Sequence, residues 1–167
     1  MIPSKEKRLP ITFGIFIIGV CTYLLHIGVL PFVNPDTTQY LHGSAIRPPI
    51  YTALLQLNQL ITVDPHFYLT FILQLIAGVT CSIYAGRQMQ SMLSLPIPMG
   101  YLFSTIFFIP YFFGDYKFAN RLLSEGISYP LYLFGFSNLL SACVKQQIKP
   151  YNVFLISLYF MILTRPQ

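Results

Sequence analysis

The chain is 167 residues long, 54% hydrophobic and only 9% charged, with ten basic residues, five acidic ones and a formal net charge of +5 at pH 7. An average soluble domain carries roughly 25% charged residues, and a globule this small leaves a large share of its surface exposed. So few charges cannot cover that surface, which excludes an ordinary cytosolic enzyme, a nucleic-acid-binding domain and a disordered tail, and makes lipid the expected surrounding. Three cysteines without a C-x-x-C pair indicate neither a disulfide framework nor a zinc module.

The charged residues fall in short clusters, and the intervals between them give the expected elements. After Lys5, Glu6, Lys7 and Arg8 comes an uncharged run, Leu9–Pro35, that contains Ile11–Leu30. At 1.5 Å per residue about 20 apolar residues cross about 30 Å of hydrocarbon, so this run is long enough to span. A cleaved signal peptide is the competing reading, but it needs a shorter apolar core and a small-residue cleavage site, and no convincing one follows. Next, Arg47–Thr62 reads RPPIYTALLQLNQLIT. Pro48 and Pro49 suit a helix start, where the first N–H groups lack intrahelical partners. Ile50, Ala53, Leu54, Leu57, Leu60 and Ile61 recur at steps of three and four, with Gln56, Asn58 and Gln59 mainly elsewhere. This is an amphipathic helix expected to lie along the outer interface, and a short re-entrant helix is the alternative. Asp64-Pro65 then breaks the chain. Four further spans are expected at Phe67–Gly86, Pro96–Gly114, Gly126–Val144 and Tyr151–Thr164, the last marginal in length. Pro110 and Pro130 fall inside two of them, which membrane helices tolerate. Tyr101, Tyr111, Tyr116, Tyr129 and Tyr151 lie near segment ends, as an interfacial belt would place them. The expected fold is an all-α polytopic helix bundle of about five spans plus one interfacial helix. No internal repeat or linker divides it, so residues 1–167 read as a single membrane domain.

With the N-terminus in the cytoplasm, Lys5, Lys7, Arg8, Arg87, Lys145 and Lys149 fall inside, and Arg47, Lys117, Arg121 and Arg165 outside. The bias follows the positive-inside rule. Asp36, Asp64, Asp115 and Glu125 then all fall outside, and only Glu6 inside. Acids and bases gathered at one face point to a polar site there, against the plainer reading of solvated segment ends. The first outer segment, NPDTTQYLHGSAIR, holds Asp36, Tyr40, His42 and Arg47. A carboxylate there could act as a general base, and Asp36 followed by Thr37, Thr38 and Gln39 also resembles a helix N-cap. Glu125 could serve a function at a span mouth or pair with Arg121 four residues earlier. A divalent site from Asp36, His42 and Asp115 is conceivable, but no metal motif supports it, and the cofactor stays unassigned. His26 reads as a packing residue, and the three cysteines as small apolar fillers.

An Asp soon after the first span, then a Tyr, then R-P-P-I-Y-x-x-L-L resembles the start of polytopic GT-C glycosyltransferases. These use dolichyl- or undecaprenyl-phosphate sugars and include protein mannosyltransferase and aminoarabinose transferase relatives. L-L-S-E-G-I-S-Y-P-L-Y-L, Leu122–Leu133, resembles the family's later S/T-E motif, and the terminal I-L-T-R-P resembles its L-x-R-P. The motifs stand in the family's order, and the resemblance covers nearly the whole chain. The resemblance implies that the chain corresponds to the N-terminal part of such an enzyme, since members of that family have more spans and often a soluble C-terminal domain. It departs from relatives with an acidic D-E pair, since Thr37 follows Asp36. The resemblance implies transfer of a hexosyl or pentosyl unit from a polyprenyl-phosphate donor at the outer face, in a bacterial inner membrane rather than the endoplasmic reticulum. Asp36 would deprotonate the acceptor hydroxyl. Tyr40, Arg47, Lys117, Arg121 and Glu125 would surround the donor headgroup, with arginine's forked donors suited to phosphate. The expected partners are membrane lipid and that donor, with no nucleic acid and no protein partner assigned. The alternative is a non-catalytic polytopic membrane protein, either a truncated paralogue or an assembly partner. A small transporter or channel subunit is disfavoured, because no acid or base lies inside the first four spans.

Overall fold

The computed structural model describes residues 49–62, 67–113 and 125–164. All belong to one compact unit, Pro31–Gln167. Five α-helices account for nearly all of them: α1 Pro49–Thr62, α2 Tyr68–Met92, α3 Ile97–Phe113, α4 Glu125–Lys145 and α5 Ile148–Thr164. There is no strand among the described residues. The expected first span lies outside them, as do Asp64-Pro65 and His66.

The segment boundaries agree closely with the charge pattern, with one informative shift. Arg87 was expected to end a span at Gly86, yet α2 runs on to Met92. Its end is set by the turn after it, where Ser94 takes a left-handed conformation (φ 50°) and Gln90 Nε2 donates to the Leu95 carbonyl at 2.7 Å. Likewise Gln146 (φ 51°) makes the sharp turn between α4 and α5. By length and composition α2 and α4 can each cross a membrane. The α3 and α5 helices have 17 residues each, about 26 Å at 1.5 Å per residue, somewhat short of a 30 Å hydrocarbon layer.

Close approaches at glycines fix how these helices run. On α2 the buried positions Thr70, Gln74, Gly78, Ser82 and Gly86 recur every four residues and make one stripe along the helix. A Cβ at Gly86 would lie 2.6 Å from the Gly100 carbonyl oxygen on α3, and one at Gly78 would collide with the Tyr111 ring further along α3. The pairing of an early α3 residue with the end of α2 makes α2 and α3 an antiparallel hairpin. Tyr84 of α2 donates to Asn138 Oδ1 of α4 at 2.8 Å, and its ring lies 4.9 Å from that of Phe134. The α2 and α4 helices run in the same direction. Gly135 of α4 sits against Ser157 of α5, and their short connection makes them antiparallel. The α1 helix packs against α2 and α5.

Beside a few large buried side chains such as Tyr51, Leu55, Phe108 and Tyr111, the interior holds many small and polar ones, Ser82, Ser104, Ser128, Ser137, Asn138, Ser141, Ser157 and Thr164 among them. The exterior carries Ile72, Leu73, Ile76, Leu102, Ile106, Ile109, Leu155, Ile156 and Phe160. The buried hydroxyls mostly bond within their own helices. Ser104 donates to Gly100 O at 2.7 Å, Ser157 to Val153 O at 2.8 Å and Ser137 to Phe134 O at 3.0 Å, so their burial leaves few unmet groups. Small interface residues of this kind let helix backbones approach closely. Gly86→Leu is expected to destabilise the protein by about 1–3 kcal/mol through overpacking against the α3 backbone, read from denaturant titration of helicity in mild detergent. Ile106→Leu, on the exposed face, is expected to leave that midpoint unchanged.

Candidate functional site at the α2–α4 N-terminal end

The N-termini of α2 and α4 and the C-terminus of α3 share one end of the bundle, and α1 packs beside the start of α2. Two prolines determine what happens there. Pro130 lies within α4 and has no N–H, so the carbonyl four residues back, at Gly126, loses its intrahelical partner. The Tyr111 hydroxyl from α3 reaches this carbonyl at 2.8 Å and shares its proton with the Gln74 carbonyl of α2, also at 2.8 Å. Tyr111 is fully buried, and the missing Cβ of Gly78 gives its ring room to cross α2. Pro110 disturbs α3 in the same way. Tyr129 of α4 reaches across and donates to the Phe107 carbonyl, one residue beyond the Ile106 carbonyl that Pro110 deprives, at 2.9 Å. The two tyrosine rings stack at 5.5 Å with an interplanar angle of 17°. Each helix thus offers a phenol to a backbone carbonyl of the other, and of these two acceptors Gly126 O is the one a proline deprives. Tyr111 and Tyr129 are therefore internal bonding groups and do not form an interfacial belt; Tyr151, on α5, is exposed.

A second polar contact fastens α1. Phe67 precedes α2 in a left-handed conformation and offers no side-chain cap. Asn58 supplies one from the neighbouring helix. Its Oδ1 accepts from the Thr70 backbone N–H at 3.0 Å and from the Thr70 hydroxyl at 3.3 Å, so a donor left over at the helix start is satisfied in trans. Deeper in, Gln74 Nε2 donates to the Tyr51 hydroxyl at 3.4 Å. Tyr51 and Leu55 pack with Phe67, and Leu54 and Ile127 flank them. The protein-facing side of α1 is therefore Tyr51, Leu55 and Asn58. Leu57, Leu60 and Ile61 of the apolar stripe are left exposed, Leu60 by 82%, while Asn58, which the periodicity set off that stripe, is buried against α2.

Of the expected site residues, only Glu125 is among the described residues. It is the first residue of α4, next to the Gly126 carbonyl that Tyr111 holds. Asp36, Tyr40, Arg47, Lys117 and Arg121 lie outside them, as do His42, Asp64 and Asp115. The chain between α3 and α4, which carries Lys117 and Arg121, leaves from and returns to this end of the bundle. Among the described residues no group of three His, Cys, Asp or Glu side chains could hold a metal ion. Gln74 was not singled out in the sequence, and Tyr51, Asn58, Tyr111 and Tyr129 take bonding roles other than those their positions suggested. For Tyr111 the signal was a tyrosine in one helix and a proline inside another, Pro130 in α4. Comparisons with protein families, with curated proteins and with solved structures return no match.

The tyrosine–proline link predicts a specific coupling. Tyr111→Phe strands the Gly126 carbonyl and is expected to cost about 1–3 kcal/mol, the range for a buried unmet acceptor. Pro130→Ala returns an intrahelical N–H to that carbonyl, so Tyr111→Phe should cost clearly less in the Pro130→Ala background. Unfolding in detergent across the double-mutant cycle measures the difference. Asn58→Leu removes the cap on α2 and is expected to cost about 1–2 kcal/mol. It should also speed hydrogen exchange at the backbone amide of Thr70.

Proposed function

We propose that this chain is a multi-pass membrane protein with its N-terminus in the cytoplasm of a bacterial cell. At the outer end of its bundle it would transfer a sugar from a polyprenyl-phosphate donor to an acceptor hydroxyl. The observation that carries this reading is the order of the motifs: Asp36, then Tyr40 and R-P-P-I-Y at Arg47–Tyr51, then S-E-G-I-S-Y at Ser124–Tyr129, then L-T-R-P at Leu163–Pro166. Support for the membrane setting comes from α2 and α4, each long and apolar enough to cross, and from the apolar exterior around a small, polar interior. The start of α1 at Pro49, directly after Arg47-Pro48, agrees with the surface helix expected behind the first motif.

The chemistry is a single displacement at the sugar carbon. The acceptor oxygen bonds to that carbon as its proton passes to Asp36, and the polyprenyl phosphate leaves with the electron pair of the broken C–O bond. Arg47, Lys117 and Arg121 would hold the phosphate, and Glu125 would orient them from the mouth of α4. Asp36→Asn is expected to abolish transfer of labelled sugar from a polyprenyl-phosphate carrier, while expression and bilayer insertion persist. Arg121→Gln should instead weaken donor binding. Undiminished transfer by Asp36→Asn would end the catalytic role of that carboxylate. Absence of donor binding by the intact protein would favour a non-catalytic polytopic protein.

A further inference from the structure

The opposite end of the bundle has a different character. The turns between α2 and α3 and between α4 and α5 both lie there. Around them stand Arg87 near the end of α2, Lys145 at the end of α4 and Lys149 at the start of α5, and all three are exposed. None is in an ion pair with another described residue. The only acid among the described residues is Glu125, at the far end of α4. Tyr84 and Asn138 mark equal depth on α2 and α4. From that level Arg87 is three residues on and Lys145 seven, so Arg87 sits about one helical turn deeper. An arginine reaches across such a distance by extending its apolar stem along the bundle and raising its guanidinium to the boundary. Large apolar side chains crowd the same end: Leu93, Ile97, Val144 and Ile148 are all exposed, Ile148 by 73%. Water alone would not favour this combination, and neither would hydrocarbon alone.

We propose that this end is a docking surface for anionic phospholipid, with Arg87, Lys145 and Lys149 holding the phosphate headgroup and Leu93, Ile97, Val144 and Ile148 resting on its acyl chains. Charge complementarity selects the occupant: three cations without a described acid beside them, ringed by apolar side chains, match a negatively charged headgroup on two hydrocarbon tails. A free anion would gain nothing from the apolar ring. The inference rests on the membrane part of the reading above and is independent of sugar transfer.

The test uses the full chain, purified and reconstituted in nanodiscs of mixed phosphatidylglycerol and phosphatidylcholine, with native mass spectrometry reading which lipid is retained. Each cation near an anionic surface strengthens attachment by about fivefold. The wild-type chain is therefore expected to retain phosphatidylglycerol preferentially, and the triple variant Arg87→Gln, Lys145→Gln, Lys149→Gln to lose that preference. Arg87→Lys should keep it, which separates charge from packing. Excess inorganic phosphate should leave the retained lipid in place. The proposal is overturned if the wild type shows no preference for phosphatidylglycerol, if the triple variant keeps it, or if inorganic phosphate displaces the lipid. Failure of the chain to enter the bilayer overturns the membrane reading and this inference together. Entry without lipid preference overturns only this one.

Discussion

A proline within a helix deprives the carbonyl one turn back of its hydrogen-bond partner, and in an apolar setting water is not at hand to replace it. In this protein that constraint becomes the joint of the bundle. Pro130 frees Gly126 O, Tyr111 fills it, and the same hydroxyl touches Gln74 O. Three helices meet at one buried phenol because α4 has a proline, α2 has a glycine at position 78 and α3 has a tyrosine that can pass over it. The reverse contact from Tyr129 to Phe107 O closes the clasp. Removing the Tyr111 hydroxyl leaves Gly126 O unmet, and a side chain at position 78 would crowd the phenol ring. A neutral hydrogen bond nets only about 1 kcal/mol on folding, whereas a stranded buried acceptor costs up to about 3. The clasp therefore matters chiefly for the penalty it prevents.

The clasp also bears on the proposed chemistry. It sets the C-terminus of α3 and the N-terminus of α4, the two fixed points between which the chain carries Asp115, Lys117 and Arg121 and then Glu125. Asn58 similarly ties α1 to the start of α2, and α1 follows Arg47 by two residues. The residues proposed to bind the donor are thus attached to anchored helix ends. At the other end of the bundle, Arg87, Lys145 and Lys149 stand exposed beside apolar side chains.

Much of this architecture was legible in the sequence, for a physical reason. Charges are expensive in hydrocarbon, so the uncharged intervals marked α2, α3, α4 and α5 to within a few residues, and Pro48-Pro49 marked the start of α1. The helix α2 continues past its uncharged interval, through Arg87 to Met92. Arg87 can sit inside a helix if its head reaches the boundary, so a cation does not have to end the helix that bears it. The facing of α1 was not legible. Periodicity set Asn58 off the apolar stripe of an interfacial helix, whereas here Asn58 is buried as the cap of a neighbouring helix while Leu57 and Leu60 are exposed. A cap supplied from another helix depends on tertiary placement, which no local pattern carries. The tyrosines misled for a similar reason: a phenol near a segment end suits an interface and an interrupted backbone equally well. Of the expected site, the structure reaches only the position of Glu125 at the head of α4.

The central claim is that hydrocarbon surrounds the outward-facing isoleucines and leucines while the interior holds the serines and glycines. Nitroxide labels at positions 76, 106 and 156 of the reconstituted protein measure this directly, through their relative collision rates with molecular oxygen and with a water-soluble nickel chelate. High oxygen exposure and exclusion of the chelate at all three is the outcome this account predicts. Free access of the chelate to those positions would contradict it.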